Sequence, residues 1–289
     1  MSVAIGAVLA FLGLPVSAAG AITNGLETGS VHGYTAALLV GSGPRPDGTV
    51  GPVEADAEVV TEWLQVCSGV LITAERVATA GHCAAGIPTD YGVRTVGVSF
   101  AADLGVHGAF DVLVGSRLEA TDSSTRPLVG TLAAWDRYQE AGAPDGDLGL
   151  VRLAAPVLDV QPLPLADVGY LDGLRRRGRL RASTFLTVGY GSSFSPSADD
   201  VVVPGWTPTR KVGGGAYRAL APTTLTIRRT RSFNYSGPCF GDSGGPVVHR
   251  VKGREVLVGI ISTGEGTCQG WTAAARVDDP YARHFLLLL

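Results

Sequence analysis

Apolar residues in this chain occur in short runs that glycine, proline and polar residues interrupt at close intervals. Runs of four to eight residues between turn-forming residues are typical of β-strands. No long segment repeats its apolar residues with the helical period, so the pattern predicts an all-β fold. Only residues 278–287 predict a short terminal helix, with Pro280 near its start. The predicted strands are residues 34–40, 59–66, 69–73, 93–100, 110–114, 148–153, 185–190, 225–228, 246–249 and 256–262.

Two segments separate these runs more widely. Residues 41–56 are rich in glycine, proline and acidic residues, and they predict a long surface loop. Residues 156–167 hold three prolines among valines and leucines, and they predict an extended connector. We place a domain boundary in this connector, which gives a first domain of residues 22–160 and a second of residues 161–289.

The first 21 residues predict a secretory signal peptide. Their apolar run, residues 3–16, is too short to span a bilayer comfortably and ends in small residues of the A-x-A type, Ala19-Gly20-Ala21. No lysine or arginine precedes the run, and a buried first strand or helix is the alternative interpretation. No later stretch is apolar for long enough to span a membrane. The sequence therefore predicts a secreted, extracellular protein with no membrane contact once residues 1–21 are removed.

The charge pattern argues against one class of partner and leaves one cluster open. A net charge of −3 argues against a nucleic-acid partner. Lys211 and Lys252 are the only lysines, so nearly all positive charge is carried by arginine. Five arginines between Arg175 and Arg181 predict a solvated loop or short helix, and a site for an anionic partner is the alternative.

Four cysteines fit an exported protein with two disulfides. Three pairings are available, and we favour the most local one, which joins Cys67 to Cys83 and Cys239 to Cys268. Each such loop closure is worth roughly 3 kcal/mol in the chain-entropy model. Zinc is the competing interpretation, but the sequence has no C-x-x-C and no H-E-x-x-H pattern, so we expect no metal.

The segment from Cys239 to Pro246 is the strongest candidate for chemistry. It places Ser243 beside Asp242 and among glycines, which let the backbone turn sharply and let a substrate approach closely. A serine hydroxyl is a poor nucleophile and needs a neighbouring base to remove its proton. The rest of the chain must therefore supply that base and a group that orients it.

Three segments stand in an order that is specific to one family. They are Thr79-Ala80-Gly81-His82-Cys83, the residues 147–153 that begin with Asp147-Leu148-Gly149, and Gly241-Asp242-Ser243-Gly244-Gly245-Pro246. They resemble the signature segments of the trypsin/chymotrypsin-like serine proteases. Residues 67–72 and Gly189-Tyr190-Gly191 are similar to two further landmarks of that family. The resemblance implies two six-stranded antiparallel β-barrels with a short C-terminal helix.

The resemblance also implies a role for each catalytic group. His82 would be the base that takes the Ser243 proton, and Asp147 would hold the other imidazole nitrogen. The backbone N–H groups of Gly241 and Ser243 would face the oxyanion, and Ser262 would support Asp147. Asp145 lies only two residues from Asp147, but the apolar run begins directly after Asp147. No cofactor is implied.

By the same resemblance, Asp242 pairs with a buried α-ammonium that proteolytic maturation creates, and Ile22 is the matching N-terminal residue. If signal peptidase cuts after Ala21, that single cut also creates the Ile22 ammonium. Export and activation would then be one event, with no separate propeptide.

Substrate specificity follows from the pocket residues. The resemblance assigns substrate contacts to Gly237, Ser262, Thr263, Gly264 and Thr272. No carboxylate accompanies Gly237 at the pocket base, so Lys or Arg would lack a counter-ion there. Glu265 lies near the pocket mouth and would still attract a basic side chain. We expect an apolar or small side chain on the acyl side of the cut.

Two other functions compete with a serine endopeptidase. Residues 241–245 also fit the G-x-S-x-G elbow of α/β-hydrolases, but that fold needs its acid and histidine after the serine, and too little chain remains. A catalytically silent homologue that acts as a secreted binding module is the other alternative, although every triad residue is present. For the protease we expect a polypeptide substrate, a protein inhibitor and a monomeric state.

Overall fold

In the computed structural model, the described residues are 22–104, 110–111, 115–119, 127–135, 145–196, 202–206 and 209–288. The predicted signal peptide lies outside them, as do residues 112–114 of one predicted strand. The strands in the described part are β1 (Leu26–Glu27), β2 (Thr35–Pro44), β3 (Val50–Val53), β4 (Glu62–Thr73), β5 (Arg76–Thr79), β6 (Thr95–Ser99), β7 (Phe110–Asp111), β8 (Gly115–Glu119), β9 (Leu128–Ala134), β10 (Gly149–Leu153), β11 (Thr184–Gly189), β12 (Ser192–Pro196), β13 (Val202–Trp206), β14 (Lys211–Leu220), β15 (Thr224–Arg228), β16 (Pro246–Val251), β17 (Arg254–Gly264) and β18 (Trp271–Arg276). The helices there are α1 (Gly81–Tyr91), α2 (Tyr170–Arg176) and α3 (Pro280–Leu288).

The strands close into two six-stranded antiparallel barrels, which confirms the predicted fold class. In the first barrel the order is β2-β6-β9-β10-β5-β4, and β2 pairs with β4 to close it. In the second the order is β14-β11-β16-β17-β18-β15, and β14 pairs with β15. The short strand β1 pairs with β14, so the residues just after Ile22 join the sheet of the second barrel.

Strand β2 explains why the two barrels meet closely. Ala36 and Leu38 pack into the core of the first barrel, whereas Ala37 and Leu39 on the opposite face pack around Tyr190. Successive side chains of a strand point to opposite faces, so a continuously apolar run can be buried on both. Full burial of each large side chain contributes about 1.5–3 kcal/mol.

The observed helices agree only in part with those that the sequence predicts. The terminal helix is confirmed, but the sequence did not predict α1 or α2 as separate helices. The sequence pattern does not reveal α1 because this helix contains Pro88 and carries only a weak apolar stripe. It ends at Tyr91 and is capped by Gly92, whose φ is 71°. Helix α2 has Arg175 and Arg176 in its last turn, as the short-helix interpretation of the basic cluster requires. Of the described helices, none is long and apolar enough to cross a membrane.

The predicted surface loop at residues 41–56 is wrong in part. Strand β2 continues to Pro44 and pairs with β3, so that Ser42 lies opposite Pro52. In the described part of the sheet β3 pairs only with β2, and an edge strand tolerates proline because one side of its backbone needs no partner. The glycines and prolines of this segment therefore form an edge hairpin.

Candidate active site

Two neighbouring strands bring His82 and Asp147 together. Strand β5 pairs with β10, and Gly149 lies opposite Thr79 in that register. His82 follows β5 in the first turn of α1, and Asp147 precedes β10. A Cβ on Gly149 would lie 2.7 Å from the carbonyl oxygen of Ala80, so only glycine permits this close approach.

The Asp147 carboxylate is fully buried and holds the His82 imidazole. Its Oδ2 lies 2.9 Å from His82 Nδ1, and its Oδ1 accepts the backbone N–H of His82 at 2.8 Å. The Ser262 hydroxyl also donates to Oδ2. Burial alone would raise the pKa of Asp147, but the bonds from His82 and Ser262 and the adjacent imidazole hold it below its ordinary value. The carboxylate is thus charged and fixed in orientation.

Ser243 sits on a turn that is tied to both barrels. Its carbonyl oxygen accepts the Ser68 N–H at 2.8 Å, and the Gly244 N–H donates to Ile261 at 2.8 Å. Gly244 has a φ of +86°, and a Cβ there would lie 2.1 Å from both the Ser68 carbonyl oxygen and Thr79 Oγ1. This turn leaves no room for any other residue at position 244.

His82 and Ser243 line one cleft of about 330 Å³. No hydrogen bond between their side chains is present in the described structure, and such bonds are often long in free enzymes. The sequence-predicted residues Ser262, Thr263, Gly264 and Thr272 line the same cleft, together with Glu265. Gly237 does not line it directly, but the next residue, Pro238, does.

The backbone next to Ser243 presents two free donors. Among the described residues, neither the Gly241 N–H nor the Ser243 N–H has a protein acceptor. The Phe240 carbonyl accepts the Ser192 N–H at 2.6 Å. Because a trans peptide points its C=O and N–H in opposite directions, this bond turns the Gly241 N–H away from Ser192. An anion near Ser243 would find both donors unused.

Two side chains that the sequence analysis did not assign support this turn. The Gly241 carbonyl accepts Ser68 Oγ at 2.9 Å and Gln65 Nε2 at 3.1 Å. Ser68 lies within residues 67–72, which carry part of the family resemblance, so the sequence could have identified it as a site residue. Gln65 belongs to no motif, and only the pairing of the two barrels reveals its contact.

Asp242 is buried and bound to the start of the described chain. Its Oδ2 accepts the Cys239 N–H at 2.9 Å and lies 3.3 Å from the Ile22 nitrogen, and its Oδ1 accepts the Gly191 N–H at 2.9 Å. Burial raises the pKa of Asp242 to about 7, although these backbone bonds and the charge of Arg229 oppose the rise. Ile22 is also fully buried.

Three glycines make room for this pair. A Cβ on Gly189 would lie 2.1 Å from Asp242 Oδ1, and one on Gly191 would lie 2.4 Å from the Asp242 nitrogen. A Cβ on Gly213 would lie 2.5 Å from Ile22 Cγ2. The Gly189-Tyr190-Gly191 landmark is therefore explained by close packing against Asp242.

The walls of the cleft are joined by the second disulfide. The structure pairs Cys67 with Cys83 and Cys239 with Cys268, which is the local pairing that the sequence favours. Cys239 and Cys268 both line the cleft. Arg229, which the sequence analysis did not assign, packs against Gly237 just behind this wall.

This chain is similar to known proteases in sequence and in fold. The family model described as Trypsin matches residues 40–283. A trypsin of Saccharopolyspora erythraea is 29% identical over 216 residues, covering 73% of this chain and 80% of the relative. A snake venom serine protease of Crotalus durissus durissus is 27% identical over 227 residues, covering 76% and 74%. The solved structure of HL collagenase matches with a TM-score of 0.54 at 18% identity, covering 88% of this chain and 93% of the collagenase, and shares its fold.

Proposed function

This chain belongs to the trypsin family and is a serine endopeptidase, and on that premise we propose that Ser243, His82 and Asp147 form its catalytic triad. The observation that carries the proposal is the buried Asp147–His82 pair, at 2.9 Å, on the cleft that Ser243 also lines. A fixed carboxylate keeps the imidazole in the tautomer that accepts a proton from serine.

The reaction runs in two halves. Ser243 Oγ attacks the scissile carbonyl carbon while its proton moves to His82 Nε2, and that proton then passes to the leaving amine as the C–N bond breaks. Water enters, gives a proton to His82 and attacks the acyl-enzyme ester; the proton returns to Ser243 as the acid product leaves. The Gly241 and Ser243 N–H groups bind the oxyanion in both halves, and loss of one such donor costs about 10² to 10³ in rate.

Maturation at the Ala21–Ile22 bond would complete the site. Ile22 has a φ of +52°, which is rare for a β-branched residue. This torsion depends on the preceding peptide, so a cut before Ile22 removes the constraint and leaves an ammonium beside Asp242. A signal peptidase that cuts there would export and activate the protein in one step. N-terminal sequencing of active secreted protein tests this, and a start other than Ile22 would exclude it.

Its substrates are polypeptides, and we expect a protein inhibitor and a monomeric state as well. A cut after Lys or Arg is disfavoured because no carboxylate accompanies Gly237 at the pocket base. An apolar or small acyl-side residue is the preference that the sequence favours.

A fluorophosphonate probe tests the proposed mechanism directly. Mature protein should be labelled at Ser243, and Ser243→Ala should abolish the labelling without changing the circular dichroism spectrum. Asp145→Asn serves as the matched control, since Asp145 bonds Thr223 and Thr224 rather than His82. A folded mature protein that takes no label would instead be a catalytically silent binding module.

A further inference from the structure

Arg229 packs against Gly237, the residue proposed as the base of the primary specificity pocket, and does not itself line the cleft. It follows β15, where Ile227 pairs with Thr272 of the pocket wall, and its backbone nitrogen bonds Gly270 at 3.2 Å. A Cβ on Gly237 would lie 2.7 Å from Arg229 Nε and 3.2 Å from Cζ. The arginine side chain therefore fills the space that a side chain at position 237 would occupy.

The guanidinium is held by neutral groups. Nη1 donates to the Tyr235 carbonyl at 3.0 Å, and Nη2 donates to the carbonyls of Gly237 and Pro238 at 2.9 Å and 3.1 Å. A guanidinium has five N–H donors, so these three bonds leave two without a protein acceptor in the described structure. All three acceptors are carbonyls, which fix its position without neutralising its charge.

The charge of Arg229 lacks a direct counter-ion. Within the part of the chain that the structure describes, no carboxylate forms an ion pair with it. Burial lowers the pKa of Arg229 to about 10, against the more distant charges of Asp242 and Glu265, so it stays cationic at neutral pH. A partly buried cation of this kind is stabilised by an anion that reaches it.

We propose that Arg229 is a specificity-determining residue that directs cleavage to the carboxyl side of aspartate or glutamate. The inference rests on the proposed function, in which Gly237 forms the pocket base. An acidic side chain entering the pocket supplies the missing counter-ion, and lysine or arginine is repelled. An apolar side chain would cover the cation without pairing with it, so the structure favours an acidic residue over the apolar or small one that the sequence favours.

Glu265 is the competing anion. It is exposed, and it packs over Gly270, where an added Cβ would lie 1.7 Å from its Oε2. Its carboxylate lies on the cleft, so it partly offsets the field of Arg229. Removal of this charge should strengthen the attraction of an acidic substrate side chain.

Cleavage of quenched peptides that differ only in the acyl-side residue tests the proposal. Mature enzyme should show a kcat/KM for aspartate or glutamate at least about tenfold above that for leucine, alanine or arginine. Arg229→Gln should lower the value for the acidic peptides by at least about 30-fold and leave the leucine peptide nearly unchanged. Glu265→Gln should raise the acidic preference. Arg228→Gln, an exposed arginine one residue away, is the matched control and should change nothing.

Fluorophosphonate labelling of every variant separates the two levels of failure. Labelled wild-type enzyme that prefers leucine, alanine or arginine overturns the role of Arg229 and leaves the triad intact. An equal loss of kcat/KM on all peptides in Arg229→Gln also overturns that role, because it shows that Arg229 only stabilises the local structure. If Arg229→Gln folds poorly, Glu265→Gln provides the test instead. An acidic preference that does not rise in Glu265→Gln overturns the role of Arg229. Wild-type enzyme that takes no label overturns the proposed function and the acidic preference with it.

Discussion

Asp242 is fully buried, and its protonation depends on whether the Ile22 nitrogen is a peptide amide or a free ammonium. With an ordinary amide there, burial raises its pKa to about 7, well above the ordinary value for an aspartate. A chain that retains Gly20-Ala21 should therefore lose stability as the pH rises from about 4 to about 7, because only the unfolded state releases the proton easily. The loss should be on the order of a few kcal/mol.

A chain that begins at Ile22 should not show this loss, since its ammonium stabilises the carboxylate. Urea unfolding of both chains from pH 4 to 8, in a Ser243→Ala background, measures the difference. Asp242→Asn should flatten the curve of the longer chain. Parallel curves for the two chains would contradict the role given to the Ile22 nitrogen.

The two aspartates at 145 and 147 offer a second test at this scale. Asp147→Asn should lower kcat by about 10⁴ because the amide stabilises the wrong imidazole tautomer, with little change in KM. Asp145→Asn should keep kcat within the same order of magnitude. Steady-state kinetics on one peptide suffices, and similar losses in both variants would contradict the assignment.

The residues that sequence alone identifies are those inside local motifs. His82, Asp147 and Ser243 each stand among small residues whose spacing is visible in the chain. Arg229 and Gln65 stand in no motif, because their contacts arise only when distant strands pair. The charge that the proposed acidic preference requires near Gly237 comes from an arginine eight residues earlier in the chain, so the sequence around Gly237 does not reveal it.

At the level of elements, much of the strand pattern and the terminal helix were predictable, whereas α1 was not. Apolar runs predicted eight of the twelve barrel strands to within a few residues, since burial on a barrel wall enforces them, but they did not predict β5, β9, β14 or β18. Helix α1 carries His82, but its formation depends on the barrel rather than on its own sequence. It connects β5 to the next part of the chain and packs its buried residues on the core. Its sequence, with Pro88 inside, has no strong helical preference of its own.

Strand β14 supplies the wall against which Ile22 packs, and under the proposed maturation the Ile22 ammonium would dock there. Gly213→Ala should hinder that docking, because the new Cβ would lie 2.5 Å from Ile22 Cγ2. We expect fluorophosphonate labelling to fall severalfold while the barrel stays folded. Gly33→Ala is the control, since a Cβ there meets no atom nearer than 3.8 Å. Unchanged labelling in Gly213→Ala would show that β14 or Ile22 shifts to accommodate the added methyl group, and it would contradict this prediction.

In the whole molecule, one buried cation joins parts that the chain keeps far apart. Arg210 is 2% exposed, and no carboxylate in the described structure forms an ion pair with it. Its donors instead reach neutral acceptors on the N-terminal segment, the first barrel and Tyr190. These acceptors are Thr28, Gly29, Val31, Thr35, Phe100 and Tyr190.

Arg210→Leu should therefore cost at least about 3 kcal/mol, because it leaves several buried carbonyls without donors. It should also loosen the segment after Ile22, so that labelling of Ser243 falls together with stability. Arg218→Leu, at an exposed position of the following strand β14, should cost about 1 kcal/mol or less through its lost contact with Trp271. Urea unfolding and probe labelling of the two variants give the comparison. Equal effects would mean that the N-terminal segment is held by its own strand pairing, with Arg210 a passive occupant of the core.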